Sequence, residues 1–370
     1  MQESISLSET STLDEQLRKT ENLNSYYEGL AFDLDDGDKG NFLSGWQCEN
    51  PFNAQLFTAV KERSKTIDYG KYTYFDDDAE LPNLIKNLHA RVDAVRPEHV
   101  FCGSGSTSLL FGFVSFLKKR GIKQVYFIPP MYFTLHLAFD RFEIRTIAVS
   151  DRQPFEQGFE MQLPDEDQSV LMVLDPIWYT GTPIASDVMT QIAEWQQRTA
   201  SFVFVDGSLQ YLSWDTSAKE HSARLDPRLT FRLICPSKQL SAHGYRFSYV
   251  LVPAAVKQEF AWVYTNIFGP VNADSIAFAH EAILAIANGT ISSRSMTLVS
   301  NRHKILRSGG VIQSSLYPSC GYFVFEKLNV ELPERYITVD GRYFDQPRYN
   351  DCIKINLLSP SINLLLNEVR

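Results

Sequence analysis

Apolar runs and helical stripes alternate through the middle of this chain. Leu81 to Val95 carries apolar residues at helical spacing, and Val100-Phe101-Cys102 reads as a short strand. Leu109 to Leu117 predicts a strongly apolar helix; Gln124 to Ile128 and Ile144 to Val149 predict strands. Val170 to Leu174 is apolar without a break, as expected of a strand buried on both faces. A helix over Asp187 to Arg198 follows, then strands at Phe202 to Val205, Thr230 to Ile234 and Phe247 to Val252. This alternation predicts an α/β unit with a mostly parallel sheet. Ligands of such sheets sit beyond the carboxyl ends of the strands. From roughly Ala255 the pattern changes to long helices, Ala254 to Ile267 and Asp274 to Asn288. It ends strand-rich, at Gly321 to Phe325 and Cys352 to Leu357. The first 45 residues read as a polar arm with one helix, Leu13 to Tyr27. No internal repeat is visible.

Length and composition narrow the class. At 370 residues the chain is too long for one simple core, which predicts two packed units. Hydrophobic residues make up 44% and charged residues 21%, an ordinary globular profile. A net charge of −9 argues against nucleic acid or an anionic membrane as partner. The five cysteines are scattered with no Cys-x-x-Cys pair, which argues for reduced thiols and against a zinc site or disulfide framework. Residues 1–20 show no positive-then-apolar signal pattern, and no apolar run approaches bilayer length, so a cytoplasmic protein is expected. The acidic runs at 33–38 and 76–78 read as solvated turns; Ser44 stands where a calcium loop from Asp33 needs its closing glutamate. Seven histidines show no metal-ligand spacing, and no metal site is expected. No Gly-x-Ser-x-Gly elbow supports serine hydrolase chemistry.

Candidate chemistry gathers at predicted strand ends. Lys238 and Arg246 stand eight positions apart in Cys235-Pro236-Ser237-Lys238-Gln239-Leu240-Ser241-Ala242-His243-Gly244-Tyr245-Arg246. A lysine can serve as an amine nucleophile, and an arginine fork grips phosphate at two oxygens. Asp206 ends the run Phe202-Val203-Phe204-Val205, placed to hold a pyridine nitrogen protonated. Aldehyde, phosphate and ring nitrogen together describe pyridoxal 5′-phosphate (PLP). Gly103-Ser104-Gly105-Ser106-Thr107-Ser108 joins a strand to a helix and offers backbone N–H groups for phosphate. Alone it reads first as a plain capped turn; beside Arg246 it becomes a phosphate cup. Tyr132, after Pro129-Pro130, suits either stacking on a flat ring or core packing, and Asp175-Pro176-Ile177-Trp178-Tyr179-Thr180-Gly181 is a turn after the most apolar strand.

Taken in order, these segments and Tyr72 in Tyr69-Gly70-Lys71-Tyr72 resemble the fold type I PLP enzymes of the class I/II aminotransferase group. The resemblance spans roughly residues 45 to 360. It implies an aminotransferase-like three-layer sandwich over residues 46–255, holding PLP on a mostly parallel sheet. A smaller α+β C-terminal unit over 256–370 would pack with part of the N-terminal segment; residues 1–45 would be an arm. It implies that Lys238 forms the Schiff base and moves protons, and that Asp206 pairs with the ring nitrogen. Arg246, Gly105, Ser106, Thr107 and Ser237 would hold the phosphate, and Tyr132 would stack on the ring. Tyr72 would reach the phosphate of a partner subunit, implying a homodimer with shared sites. Four positions depart from the family pattern, the first being Cys235, which stands where a serine is expected three residues before the lysine. Trp178 stands where an asparagine usually meets the cofactor phenolate, and Leu209 where a tyrosine does. Lys354 falls where an arginine usually clamps the substrate carboxylate. Tyr211 and Tyr179 are the candidates to replace the lost phenolate contacts. The expected activity is transamination of an amino acid or related amine. The alternatives are another PLP outcome (decarboxylation, elimination or replacement, condensation, oxidation) and a non-catalytic cofactor-binding protein.

Overall fold

The computed structural model describes residues 41–97, 99–215, 220–313, 316–341 and 347–369. The helix expected at Leu13 to Tyr27 and the acidic run at 33–38 lie outside these residues. Strand β1 (Asn41–Phe42) is followed by helices α1 (Ala54–Ser64) and α2 (Leu81–Val92). The central unit then runs β2 (His99–Gly103), α3 (Ser106–Lys119), β3 (Gln124–Phe127), α4 (Phe133–Arg141), β4 (Arg145–Ala148) and β5 (Val170–Leu174). It continues through α5 (Ser186–Thr199), β6 (Phe202–Gly207), β7 (Thr230–Ile234), α6 (Pro236–Gln239) and β8 (Ser248–Val252). Helices α7 (Lys257–Ile267), α8 (Ala273–Asn288) and α9 (Thr290–Ser308) follow. The chain closes with β9 (Ile312–Gln313), β10 (Phe323–Leu328), β11 (Tyr336–Ile337), β12 (Val339–Asp340), β13 (Cys352–Asn356) and α10 (Ile362–Val369).

The seven-stranded sheet has the order β2-β8-β7-β6-β5-β3-β4. Its pairs are parallel except those that β8 makes with β2 and β7. Strand β5 is buried at every residue, as its unbroken apolar run requires. Alternate side chains feed opposite layers. Val170, Met172 and Phe204 join α3, α4 and α7 in one core, while Leu171, Val173, Val203 and Val205 join α5 in another. Both faces are therefore covered by helices, which makes three layers. Helix α5 shows why: Val188, Met189, Ile192, Trp195 and Thr199 recur at helical spacing and are all buried.

A second, antiparallel sheet has the order β12-β13-β10-β9. On β13, Ile353 and Ile355 face the core formed with α9 and α10. Cys352 packs against Ile177 and Tyr179, and Lys354 against Trp46 and Trp178, so the alternate residues look toward the large sheet. Helix α3 begins at Ser106, three residues before the apolar run suggested, which brings Ser106 and Thr107 into its first turn. Among the described residues, no helix is long and apolar enough to cross a membrane.

Candidate active site

The phosphate side is built by the β2–α3 turn. Gly105 has φ +84° and ψ 166°, a backbone region reserved for glycine. A Cβ there would also run into the Arg246 guanidinium, with Cζ only 2.9 Å away. Backbone freedom at Gly105 therefore lets Arg246 lie against the start of α3. The Ser108 hydroxyl donates back to Gly105 O at 2.9 Å. No side chain caps α3 and no acidic residue occupies its first turn, so its N-terminal N–H groups and dipole stay available to an anion. Ser106 is buried and Thr107 exposed there. Arg246 is exposed, and its side chain makes no hydrogen bond or ion pair among the described residues.

Lys238 sits on the single turn α6, which follows Cys235 at the end of β7. That turn is clamped from both sides. The Ser237 hydroxyl donates to Phe247 O at 3.0 Å and accepts from Phe247 N at 2.8 Å. Gln239 Nε2 donates to Gln210 O at 3.0 Å. Lys238 Nζ lies 5.9 Å from the centre of the Tyr132 ring. Tyr132 immediately precedes α4 and meets Trp178 edge-to-face, centroids 6.2 Å apart.

Asp206 lies near the end of β6, toward the same end of the sheet, and is only 7% exposed. Its Oδ1 accepts from Ser208 N at 3.1 Å and Ser208 Oγ at 2.6 Å. This closed turn holds the carboxylate orientation. Oδ2 makes no hydrogen bond among the described residues. Ser208 was not singled out in the sequence; the Asp-x-Ser spacing that supports such a turn was its available signal.

On the opposite wall, Lys354 is fully buried and its Nζ has no hydrogen-bond partner among the described residues. Three rings surround it, with centroids at 3.9 Å (Trp46), 4.2 Å (Phe323) and 5.1 Å (Trp178). Trp46 also stacks on Trp178 at 5.0 Å. Burial pushes the Lys354 ammonium well below the usual lysine range, and the Lys238 charge adds to this. The ring faces oppose that shift by favouring the cation. Trp46 escaped the sequence reading because it lies in an irregular segment with no periodicity, and Phe323, though within the expected strand Gly321 to Phe325, because its meeting with Lys354 depends on the pairing with β13.

Other expectations meet a different arrangement. Ser237 was expected at the phosphate, yet its proton is committed to Phe247 O, because α6 needs that bond to stay attached to the 246–247 segment. Tyr211 does not turn to the cofactor side. Its hydroxyl donates to Asp93 at 2.6 Å, within a buried cluster that includes Arg232 and His89. An Asp93–Arg232 pair so deep needs further donors, and Tyr211 supplies one. Tyr179 packs edge-on against both Phe325 and Trp178, 5.3 Å between centroids in each case. Leu209 belongs to the core with Leu212, Tyr322 and Phe323. Tyr72 is 82% exposed on the connection between α1 and α2. His243, beside Arg246 in sequence, is held at about 4 by burial and then by the Lys238 and Arg246 charges.

No family model and no curated protein sequence matches this chain. Solved structures do match. The chain is similar to a probable N-succinyldiaminopimelate aminotransferase from Thermus thermophilus, with TM-score 0.75 and 15% identity over 94% of this chain and 98% of that one. It is similar to the aminotransferase AspB from Helicobacter pylori, with TM-score 0.73 and 15% identity over 98% of each chain. N-Succinyldiaminopimelate aminotransferase from Mycobacterium tuberculosis matches with TM-score 0.71 and 15% identity, over 93% and 96%. These neighbours are aminotransferases, and the chain has their fold.

Proposed function

We propose that this chain is a PLP-dependent aminotransferase acting on an amino acid or related amine, with Lys238 as the amine that holds the cofactor. The juxtaposition of Lys238, Asp206 and Tyr132 beside the Gly105–Arg246 cup carries this reading. The cup suits a phosphate, because glycine lets a guanidinium and uncapped helix N–H groups converge. Asp206, tethered by Ser208, suits a pyridine N–H through its remaining oxygen. Tyr132 offers a ring face between Lys238 and Trp178. When bound, PLP supplies an electron sink for the pair released as a bond at the substrate Cα breaks. Lys238 would take and return the proton at Cα, and Trp178 and Trp46 would help exclude water. The exposure of Arg246 and Tyr72 supports a homodimer in which a second copy closes the cup, with Tyr72 of each chain serving the other site.

The test is the visible spectrum of the purified protein before and after borohydride, with mass mapping of the reduced peptide. A reduced PLP adduct on Lys238 is expected. Protein that stays colourless and unmodified with added PLP overturns the proposal. One observation favours a second reading within PLP chemistry. Lys354 under three rings replaces a two-pronged carboxylate clamp, so the reaction can end in decarboxylation, elimination, condensation or oxidation instead. Transamination leaves pyridoxamine phosphate on the protein after one half-reaction with the amine; the other outcomes do not.

A further inference from the structure

Lys354 stands where the resemblance puts a carboxylate clamp, yet the fold seals it. The side chain is fully buried, with ring centroids at 3.9 Å (Trp46), 4.2 Å (Phe323) and 5.1 Å (Trp178) from Nζ. Ring faces favour a cation without supplying an acceptor, and the amine has no hydrogen-bond partner among the described residues. We propose that this site takes primary amines that carry no carboxylate on the reacting carbon and whose body is apolar or aromatic. The proposal rests on the PLP reading above and narrows its substrate to the amine.

The seal is held by three segments locked to one another. Trp46 stacks on Trp178 at 5.0 Å and meets Phe323 edge-on at 5.4 Å. Asn356 Nδ2 donates to Gly45 O at 2.9 Å and to Gln47 O at 2.8 Å, so the backbone is pinned on both sides of Trp46. The turn carrying Trp178 is tied to the segment before β10, because Ser319 N and Cys320 N donate to Gly181 O at 2.8 and 3.1 Å. Gly181 has φ +69°, and a Cβ there would lie 2.7 Å from Cys320 O and from Phe323 O. Glycine therefore lets this turn close onto β10, which brings Trp178 beside Phe323, centroids 6.2 Å apart. To reach Lys354, a carboxylate would have to part all three rings.

The neighbouring positive charges are committed elsewhere. Lys238 holds the cofactor, and Arg246 lies in the cup against Gly105. His243 is neutral near pH 7, since burial and those two charges hold it at about 4. A carboxylate beside Lys238 would instead meet Tyr132 and Trp178, both half-buried. Ring faces repel an anion, and an anion stripped of water without a partner is strongly disfavoured. An apolar or aromatic body gains contact with the same rings. The half-reaction balances without an oxidant: R–CH2–NH2 and the cofactor aldehyde give R–CHO and pyridoxamine phosphate, amino group and oxygen changing places. With no carboxylate on that carbon, decarboxylation drops out of the alternative outcomes.

The first experiment compares phenethylamine with L- and D-phenylalanine, and isoamylamine with L- and D-leucine. Each runs as one half-reaction with the PLP-loaded protein, followed by visible absorbance. Each amine should react at least about 100-fold faster than its amino acid. Equal rates or a faster amino acid overturn the proposal, as does a cofactor adduct on Lys238 with neither amine reacting. The second experiment needs no cofactor: acylation of the stripped protein by acetic anhydride, mapped by mass. Lys65, whose side chain is 67% exposed, should be modified. Lys354 should not, although burial favours its uncharged, more nucleophilic form. Trp46→Ala should admit the reagent to Lys354 and lower the discrimination between phenethylamine and phenylalanine at least about tenfold; Trp46→Phe should restore both. Lys354 acylated as fast as Lys65 in the folded parent overturns the proposal, and this result decides it even where Trp46→Ala does not fold. If borohydride finds no adduct on Lys238 while Lys354 stays protected, the cofactor reading fails and the amine assignment falls with it, but the seal stands.

Discussion

Gly105→Ala separates backbone strain from anion binding in one substitution. Gly105 sits at φ +84°, ψ 166°, where a side chain adds roughly 1–3 kcal/mol of strain. The new methyl would also displace the Arg246 guanidinium, whose Cζ would lie 2.9 Å from it. That guanidinium is the tip of a flexible side chain, so its displacement adds little to the folding cost. Its effect falls on phosphate binding. Losing one charge-assisted contact of about 1.5–3 kcal/mol weakens PLP binding about 10- to 150-fold. The assay is titration of protein stripped of cofactor, read by tryptophan fluorescence and visible absorbance, alongside a thermal melt. Pyridoxal, which lacks the phosphate, should bind the variant and the parent within about twofold. Gly244→Ala is the control, since a methyl there meets nothing within 4 Å. A Gly105→Ala protein that binds PLP within about twofold of the parent would refute the cup as the phosphate site.

Three further outcomes follow from particular groups. Asp93→Asn should destabilise the fold by about 3–5 kcal/mol in a denaturant melt, because Arg232 would be left as an uncompensated buried charge. In the parent, burial alone would raise Asp93, but the His89 hydrogen bond and the Arg232 charge more than offset it and hold the carboxyl at about 2. The folded value lies below the ordinary 3.8, so this stability, about 2 kcal/mol, is present above pH 4 and lost as pH falls toward 2. Acid titration of the melting midpoint checks it, and Asp93→Asn should flatten that limb. His243 is neutral above about 4, so His243→Gln should leave the pH profile of PLP binding unchanged between pH 5.5 and 8; a lost step near 6.5 would count against this. Mixing Tyr72→Phe protein with Lys238→Ala protein tests the shared site. A mixed dimer carries one site free of both changes, so PLP affinity there should recover, whereas independent sites would show no recovery.

Much of the architecture was legible in local pattern. The unbroken run Val170 to Leu174 could be satisfied only between two helical layers, and β5 sits there. Lys238, Asp206 and the 103–108 turn share one end of one sheet because each follows the carboxyl end of a strand running the same way, and Arg246 reaches that end because it precedes β8, which runs antiparallel. What could not be read locally were contacts between segments far apart in the chain. Ser237 looked like a phosphate donor until the return of Phe247 claimed its proton. Tyr211 looked able to reach the cofactor side until the left-handed backbone there, φ +63°, sent it to Asp93 instead. Lys354 shows the limit most clearly. Its alternation along β13 placed it on the inner face, but whether it meets water, a carboxylate or aromatic rings depends on residues 46, 178 and 323. A residue's type and strand position are local properties of the sequence. The dielectric around its charge and the partners within reach are set by other parts of the chain, and only the folded structure brings those together.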